Sequence, residues 1–436
     1  MTRWLTLIAF LLTLTPRMAR PQAPQTGPRN AGAKLRYVVF LSRHGVRSPT
    51  GKLSQYQPYS TGVWPEWSVA PGYLTSHGFH LMELFGAYDR MQLSSEKLLG
   101  ASGCGDAQVV TIYADSDQRT RETGKALAQG MFPGCDFPMQ SLPEGSEDSL
   151  FHPVHELWNR LNPELARGAI AGRIGGSPTN ITTAYHLQIE ALDKILANCG
   201  GTGPVQHKRT SLFDIPASLS LGAGDHLADL KGPINTASTL SENLLLEYTE
   251  GMDESKVGWG CVKHADIEAL MELHTAATDY SQRTLETART QASNILNHIS
   301  KSIQQAATQK RVAGAVGKPS DRALFLVGHD TNIENVAGLL DLNWIIDGRR
   351  DDTPPGSALV FELWQEMQTG KYVVRLFFTA QTLDQMRAST TLDAANPPER
   401  IPVYLPGCSE EDLSCPLDKF SNMIRNSVDL QYVVRK

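Results

Sequence analysis

Three short apolar segments, each leading into a polar cluster, constrain the fold of this chain more than any other feature. They are residues 35–41, 109–113 and 323–327. Continuous apolar runs of this length are typical of strands that are buried on both faces of a parallel sheet. Helical patterns come after them along the chain, for example at residues 75–92 and 120–131. This alternation predicts an α/β domain with a central, mostly parallel sheet.

The polar residues at the ends of these segments predict where a ligand binds. They are Arg43, His44, Arg47, Arg119, Arg121, His329 and Asp330. Because the carboxyl ends of parallel strands lie at one edge of a sheet, we expect these side chains to form an anion pocket that contains an acid. Each cluster alone has a simpler explanation, as a basic loop, a solvated helix start or a helix cap. Their joint occurrence favours the pocket.

A phosphate group is the anion that suits these side chains best. Guanidinium groups bind phosphate oxygens in pairs. A neutral imidazole among them can attack phosphorus and carry the phosphoryl group covalently, which makes His44 the predicted nucleophile. Gly45 is expected to let the backbone turn tightly just after the histidine.

The same residues resemble a family signature. Arg43-His44-Gly45-Val46-Arg47-Ser48-Pro49 resembles the RHGxRxP motif of histidine acid phosphatases, and His329-Asp330 is similar to the distant HD pair of that family. Residues 115–120 are similar to its Asp-x-x-Arg-Thr segment, which implies that Arg119 binds phosphate and that Arg121 does not. The resemblance covers most of residues 35–430 and is closest to the bacterial periplasmic phytases and glucose-1-phosphatases.

The resemblance implies the hydrolysis of phosphomonoesters without a cofactor or a metal. His44 would form a phosphohistidine, and Asp330 would protonate the leaving alcohol and then help to activate water. Asp330 must start protonated, so activity should peak at acidic pH. The residues expected to hold the phosphate oxygens are Arg43, Arg47, Arg119 and His329.

The substrate is less sharply defined by the sequence. Related phytases carry a threonine followed by a lysine that contact further phosphates, and here Gly51 separates Thr50 from Lys52. Glu242 matches a glutamate of the phytase substrate pocket, although alone it resembles an exposed helix residue. Thr331 gives the phytase form of the HD segment. Phytate is therefore the first choice, with glucose 1-phosphate or a broad range of monoesters as the alternative.

Other functional classes fit the sequence less well. Phosphoglycerate mutases usually have glutamate after RHG and lack the HD pair, and a phosphate-binding protein would be expected to have lost His44 or Asp330. The net charge of -6 and the absence of a long single-sign run argue against nucleic acid or a membrane surface as a partner. We expect a monomer that acts on a small phosphomonoester.

The start of the chain predicts export to the periplasm or the medium. Residues 1–23 combine a basic Arg3, a short apolar run and small residues near position 23, which is typical of a cleaved signal peptide. An uncleaved anchor is the alternative. Residues 24–33 read as a flexible tether.

The remaining chain is predicted to form two domains. Residues 34–154 and 291–436 would make the α/β catalytic domain. Strand-like runs thin out in residues 155–290, and amphipathic helical stretches replace them, so this segment reads as an inserted helical domain. One of these stretches, residues 266–300, reads as a single long helix.

The six cysteines fit three disulfides in an exported protein. Local spacing predicts the pairs Cys104–Cys135 and Cys408–Cys415, and elimination leaves Cys199 with Cys261. The cysteine and histidine spacings contain no metal-binding pattern.

Overall fold

The computed structural model describes residues 32–200, 208–224 and 226–434. The predicted signal peptide and all but the last two residues of the predicted tether lie outside this part of the chain. Ala33, the last tether residue, already begins the first strand.

The strands of the described residues are β1 (Ala33–Arg43), β2 (Val110–Ala114), β3 (Gln140–Ser141), β4 (Ser218–Leu221), β5 (Ala228–Lys231), β6 (Ala323–Gly328), β7 (Ile345–Ile346), β8 (Arg349–Arg350), β9 (Ala358–Glu366), β10 (Tyr372–Ala380), β11 (Glu399–Val403) and β12 (Ser414–Pro416). The α-helices of the same residues are α1 (Leu53–Tyr56), α2 (Ser76–Ser95), α3 (Gln118–Met131), α4 (Val154–Leu157), α5 (Pro163–Arg173), α6 (Thr179–Ala184), α7 (His186–Asn198), α8 (Pro233–Thr249), α9 (His264–Ser281), α10 (Leu285–Thr308), α11 (Asp330–Leu340), α12 (Leu383–Ala388) and α13 (Leu417–Ser427).

The central sheet has the strand order β11-β10-β9-β1-β6-β2-β3, and β12 pairs with the beginning of β10. Strands β1, β6, β2 and β3 run parallel to one another, whereas β9 to β12 continue the sheet with antiparallel pairs. The three apolar segments of the sequence are therefore adjacent, with β6 between β1 and β2. The predicted α/β class is confirmed, and its parallel half is the half that ends in the polar clusters.

Helices cover both faces of this sheet, which explains why its inner strands are apolar throughout. Successive residues of β1 alternate between two cores: Val39 and Leu41 pack with α10, α11 and α13, whereas Val38 and Phe40 pack with α2 and α3. Burial of β1 on both faces from Tyr37 onward fixes the position of its last residue, Arg43.

A second unit of mostly helical structure has its own apolar core. Helices α5 to α9 contribute most of that core, and α12 adds Leu383 and Met386. The unit also contains an antiparallel hairpin of β4 and β5, which the sequence patterns did not indicate. Helix α10 packs into the core of the sheet from Ala288 onward.

The predicted single helix over residues 266–300 is wrong, because α9 ends at Ser281 and α10 begins at Leu285. Thr284 is extended, with φ -64° and ψ 127°. The break lets the chain pass very close to α11: a Cβ at Gly338 would lie 2.5 Å from the Cα of Arg283. The apolar periodicity of the sequence continues through residues 282–284, so the pattern does not show that the helix breaks there.

All six cysteines are paired, as Cys104–Cys135, Cys199–Cys261 and Cys408–Cys415. These are the three pairs that the sequence predicts. Among the described residues, the helices are either too short or too polar to cross a bilayer.

The signature loop after β1 packs against the first turn of α2. Gly45 neither adopts a positive φ nor lies in a hydrogen-bonded turn, so the expected tight turn at this glycine is wrong. Gly45 is needed for space instead: a Cβ there would lie 2.8 Å from Cγ of Met82 and 3.1 Å from the carbonyl oxygen of Gly78. Gly78 has even less space around it, because an added Cβ would lie 2.0 Å from the carbonyl oxygen of Val46.

We therefore expect Gly78→Ala to push α2 away from the signature loop. It should lower the free energy of unfolding by about 1–3 kcal/mol and reduce activity as well, because overpacking here displaces backbone. The matched control is Gly168→Ala in α5, where no atom lies within 4 Å of the added methyl group. That change should raise stability by about 0.5–1 kcal/mol. Denaturant unfolding measures both, and equal effects of the two changes would contradict this packing.

Candidate active site

His44 follows directly on β1 and is held by backbone on both sides. Its N–H donates to the carbonyl of Gly328 at the end of β6 (3.0 Å), and its carbonyl accepts from the N–H of Gly356 (2.8 Å). The side-chain Nδ1 lies 2.9 Å from the carbonyl oxygen of Gly45. A carbonyl can only accept, so Nδ1 carries the proton. Nε2 therefore keeps a free lone pair.

The surroundings of His44 keep this imidazole neutral. Burial and the positive charges of Arg119, Arg47 and Arg43 hold the pKa of His44 well below its usual value. The ring therefore stays deprotonated at Nε2 in acid, where an ordinary histidine would be charged. A neutral nucleophile at acidic pH is what this arrangement provides.

The ends of β2 and β6 meet beside His44. Asp115 follows β2 and is 1% exposed, and its Oδ2 accepts from Nε2 of His329 (2.7 Å). Nδ1 of His329 lies 3.3 Å from Nη2 of Arg119, which is held by Asp117 at 2.6 Å. The rings of His44 and His329 are 5.6 Å apart between centroids. The polar groups of the three strands do converge.

Asp330 and Glu242 complete the pocket from two different helices. Asp330 is the first residue of α11, and its Oδ2 lies 2.9 Å from Nη2 of Arg43. Glu242 reaches the pocket from α8 of the helical unit, where one oxygen pairs with Nη2 of Arg43 and with Nη2 of Arg47 (3.1 Å). The site therefore lies between the two units, and Glu242 is not an exposed helix residue.

Both carboxylates are ionised in the unliganded pocket. Burial acts to raise the pKa of Asp330, but Arg43, with smaller contributions from His274 and Arg47, holds that pKa below the usual value. Burial opposes the ionisation of Glu242 in the same way, and Arg47 and Arg43 outweigh it, so the pKa of Glu242 is also lowered. From the sequence, Asp330 is expected to start protonated, whereas its surroundings in the structure lower its pKa. If Asp330 acts as an acid, it must take up its proton when the ligand binds.

The seven predicted residues that the structure brings together are Arg43, His44, Arg47, Arg119, Glu242, His329 and Asp330. The other two predicted residues, Thr50 and Lys52, are exposed. The backbone N–H of Lys52 donates to Oε1 of Gln55 at the start of α1 (2.7 Å). Arg121 points away to Glu144, at 3.5 Å, in line with its expected bystander role.

Sequence reasoning missed two histidines of this site. His274 lies on α9, with Nδ1 3.1 Å from Oγ of Ser238 and with its buried Nε2 unpaired. His152 comes from the loop before α4 and bonds to Asp115 through Nε2 (2.9 Å). A single titratable residue in the buried stripe of a helix is the signal that could have indicated His274. The sequence offers no comparable signal for His152.

Two clusters bring possible metal ligands within 4.8 Å of one another; they are Asp115, His152 and His329, and Glu242, His274 and Asp330. In the first, the carboxylate oxygen already accepts two N–H groups. In the second, both carboxylates pair with Arg43. Hydrogen bonds and ion pairs thus account for the carboxylates of both clusters, whereas Nε2 of His274 in the second has no partner among the described residues.

The chain matches the histidine phosphatase superfamily (branch 2) over residues 34–186 and 234–379. It is 34% identical over 430 residues to phytase AppA of Escherichia coli, covering 97% of this chain and 98% of that protein. It is 28% identical over 409 residues to a glucose-1-phosphatase of Salmonella typhimurium, covering 92% and 94%. The Hafnia alvei phytase in complex with myo-inositol hexakis sulphate superposes with a TM-score of 0.83 at 32% identity, covering 93% of this chain and all of that one.

The ion pair of Asp330 with Arg43 predicts proton uptake when an oxyanion enters the pocket. Sulfate should engage Arg43 and so raise the pKa of Asp330, which then takes up roughly one proton per sulfate at about pH 5. Sulfate itself does not titrate there. Calorimetric titration in two buffers of different ionisation enthalpy measures this proton uptake. Asp330→Asn should take up roughly one proton fewer, and equal uptake by both proteins would refute the coupling.

Proposed function

The chain belongs to branch 2 of the histidine phosphatase superfamily and is a phosphatase, and on that premise we propose that it hydrolyses phytate through a phosphohistidine at His44. The single observation that carries the mechanism is the imidazole of His44. It is protonated at Nδ1, has a free lone pair at Nε2, and is surrounded by three arginines.

In the first step, Nε2 of His44 attacks phosphorus while the bond from phosphorus to the leaving oxygen breaks. Arg43, Arg47 and Arg119 balance the charge of the phosphoryl oxygens, where preorganised positive groups have their largest effect. Asp330, protonated as the substrate takes over Arg43, gives its proton to the leaving oxygen. The Gly45 carbonyl stabilises the positive imidazole that forms.

In the second step, water attacks the phosphohistidine. The Asp330 carboxylate accepts a proton from that water, the bond from phosphorus to nitrogen breaks, and His44 returns to its neutral form. Because Asp330 must gain a proton with every substrate whose leaving oxygen has to be protonated, such as phytate, kcat/KM for these substrates falls as pH rises. This preserves the expected acidic optimum although Asp330 starts ionised.

Phytate is favoured as the substrate by two considerations. A relative that is 34% identical is a phytase, and the Hafnia alvei phytase binds myo-inositol hexakis sulphate, which carries six anionic ester groups on the inositol ring, as phytate does. A substrate with six phosphates also needs cations outside the pocket of the reacting phosphate, and exposed Lys52 comes three residues after Pro49, the end of the signature. The 28% identity to a glucose-1-phosphatase supports glucose 1-phosphate as the second candidate.

We also propose that the protein acts in the periplasm or the medium. Three disulfides favour an oxidising compartment, and the pattern of residues 1–23 favours export. The expected monomer belongs to this proposal as well, and sedimentation of the mature chain would measure it.

The proposed function is tested by phosphate release from phytate, glucose 1-phosphate and 4-nitrophenyl phosphate at about pH 4–5 with a chelator present. We expect phytate to have the highest kcat/KM. His44→Ala should lose at least about 10⁴-fold with every substrate, since the nucleophile is gone. A preference for glucose 1-phosphate would show that phytate is the wrong substrate but would leave the mechanism unchanged. Release of phosphate from none of the three esters would overturn the proposal.

The role of Asp330 predicts a dependence on the leaving group. Asp330→Asn should lower kcat with phytate by about 10²–10⁴-fold, because the alkoxide must be protonated as it leaves. Nitrophenolate leaves without a proton, so the loss with 4-nitrophenyl phosphate should be less than roughly tenfold. Steady-state kinetics on the two substrates measure the ratio. Equal losses would mean that Asp330 only binds or shapes the pocket.

Lys52 is predicted to distinguish phytate from small substrates. Lys52→Gln should raise KM for phytate by roughly three- to tenfold, because one exposed contact between opposite charges is worth about 1 kcal/mol. KM for 4-nitrophenyl phosphate should not change. The control is Lys318→Gln, an exposed lysine in the turn that precedes β6, at the opposite edge of the sheet. An unchanged KM for phytate would place Lys52 outside the substrate site.

A further inference from the structure

One oxygen of Asp115 accepts hydrogen bonds from two imidazoles. Oδ2 of this buried carboxylate lies 2.7 Å from Nε2 of His329 and 2.9 Å from Nε2 of His152. Its other oxygen accepts the N–H of Ser116 (2.8 Å). The two imidazole rings are 5.1 Å apart between centroids. Asp115 therefore divides one oxygen between a residue of the phosphate pocket and a residue outside it.

The geometry fixes which nitrogen of His329 can face a phosphate group. Nε2 is committed to Asp115, so only Nδ1 remains. In the unliganded pocket Nδ1 lies 3.3 Å from Nη2 of Arg119, which always donates, and so Nδ1 accepts there. To donate to a phosphate oxygen, Nδ1 must gain a proton. The strength with which His329 holds this second proton therefore decides how it binds phosphate.

The groups around His329 shift its pKa in opposite directions. Burial and the charges of Arg119 and His152 lower the pKa of His329, and Asp115 raises it. The charged or titratable groups that face His329 are His44, Asp115, Asp117, Arg119 and His152. Asp148 and Tyr113 lie behind His152: the Asp148 carbonyl accepts from the His152 N–H at 2.8 Å, and its carboxylate accepts from the Tyr113 hydroxyl at 2.7 Å. Asp115 is thus the group through which His152 acts most directly.

We propose that His152 is a positioning residue that weakens the hold of Asp115 on His329 and so keeps Nδ1 of His329 unprotonated until phosphate arrives. A carboxylate oxygen that already accepts one N–H is a poorer acceptor for a second one. Without His152, Asp115 would serve His329 alone, and His329 would stay charged in the empty pocket. Inorganic phosphate, the product, would then bind more tightly. This inference rests on the proposed function, because His152 would lower the affinity of the same pocket for the product phosphate and so favour its release.

His152 is well placed for this role. Its side chain is 30% exposed and lies in the loop that precedes α4, so it acts from the outer side of Asp115. It does not approach His44 or Asp330 as His329 and Arg43 do. The contact with Asp115 requires a donor at Nε2, so two substitutions of similar length, one with an N–H and one without, separate this hydrogen bond from packing.

The test compares His152→Gln with His152→Met. Glutamine carries an N–H donor at about the depth of Nε2, whereas methionine has similar length and volume without a donor. Nitrophenolate leaves without a proton from Asp330, so with 4-nitrophenyl phosphate the alkaline limb of the kcat/KM profile reports the loss of the His329 proton. We expect the Met variant to shift this limb upward by about 0.5–1 pH unit, because Asp115 becomes the stronger partner. The Gln variant should keep the wild-type profile.

A second readout is competitive inhibition by inorganic phosphate. At a pH above the wild-type limb, the Met variant should bind phosphate roughly three- to tenfold more tightly, the same change expressed as affinity. Profiles of Met and Gln variants that both superimpose on the wild type would overturn the proposal. A fall in kcat of the Met variant without any shift would also overturn it, since that is the result of a packing defect. If the Met variant does not fold, His152→Leu replaces it.

Failure of this inference can be told apart from failure of the proposed function. Wild-type enzyme that releases phosphate from none of the esters refutes the function. In that case the titration of His329 by ¹⁵N NMR in the unliganded Met and Gln variants still tests the inference. A higher pKa of His329 in the Met variant supports it, and equal pKa values refute it.

Discussion

Buried positive charge around one imidazole is the constraint on which the rest of this structure depends. Arg43 ends β1, Arg47 follows it in the signature loop, and Arg119 lies in the first turn of α3. All three have little access to water, so their guanidinium groups repel one another strongly. Carboxylates offset this repulsion in the empty pocket: Glu242 joins Arg43 to Arg47, and Asp117 holds Arg119. Since Glu242 comes from the helical unit, the charge balance of the pocket needs both units.

The same positive charge has two chemical consequences. It keeps His44 neutral in acid, where an exposed histidine would be protonated and unreactive. It also makes the pocket a site for an oxyanion, which replaces the internal carboxylates as the partner of the arginines. In the proposed mechanism Asp330 gains a proton in that exchange, so the arrival of the substrate would make the general acid ready.

The sequence predicts the centre of the pocket because strand ends and their polar residues are neighbours in the chain. Arg43, His44 and Arg47 need only the strand before them to be placed, and so do His329 and Asp330. Side chains from the rest of the fold were harder to predict. The approach of His274 and His152 depends on how a helix and a loop, distant in sequence, pack against the strand ends.

Long-range packing also explains the other differences between expectation and structure. Apolar periodicity runs through residues 282–284, although the helix breaks there, where Arg283 packs against Gly338 of α11. Gly45 was expected to supply a turn, but it supplies room for Met82 and Gly78 instead. Neither contact can be recognised from the neighbouring residues in the sequence.

The most direct measurement is to trap the phosphorylated enzyme. Phytate is mixed with enzyme for milliseconds, turnover is stopped with alkali, in which phosphohistidine survives, and the peptides are analysed by mass spectrometry. We expect one phosphoryl group on the imidazole of His44, and none when His44 is replaced by alanine. Phosphate on another residue, or turnover with no phosphorylated His44 at any time, would contradict the central role of this imidazole.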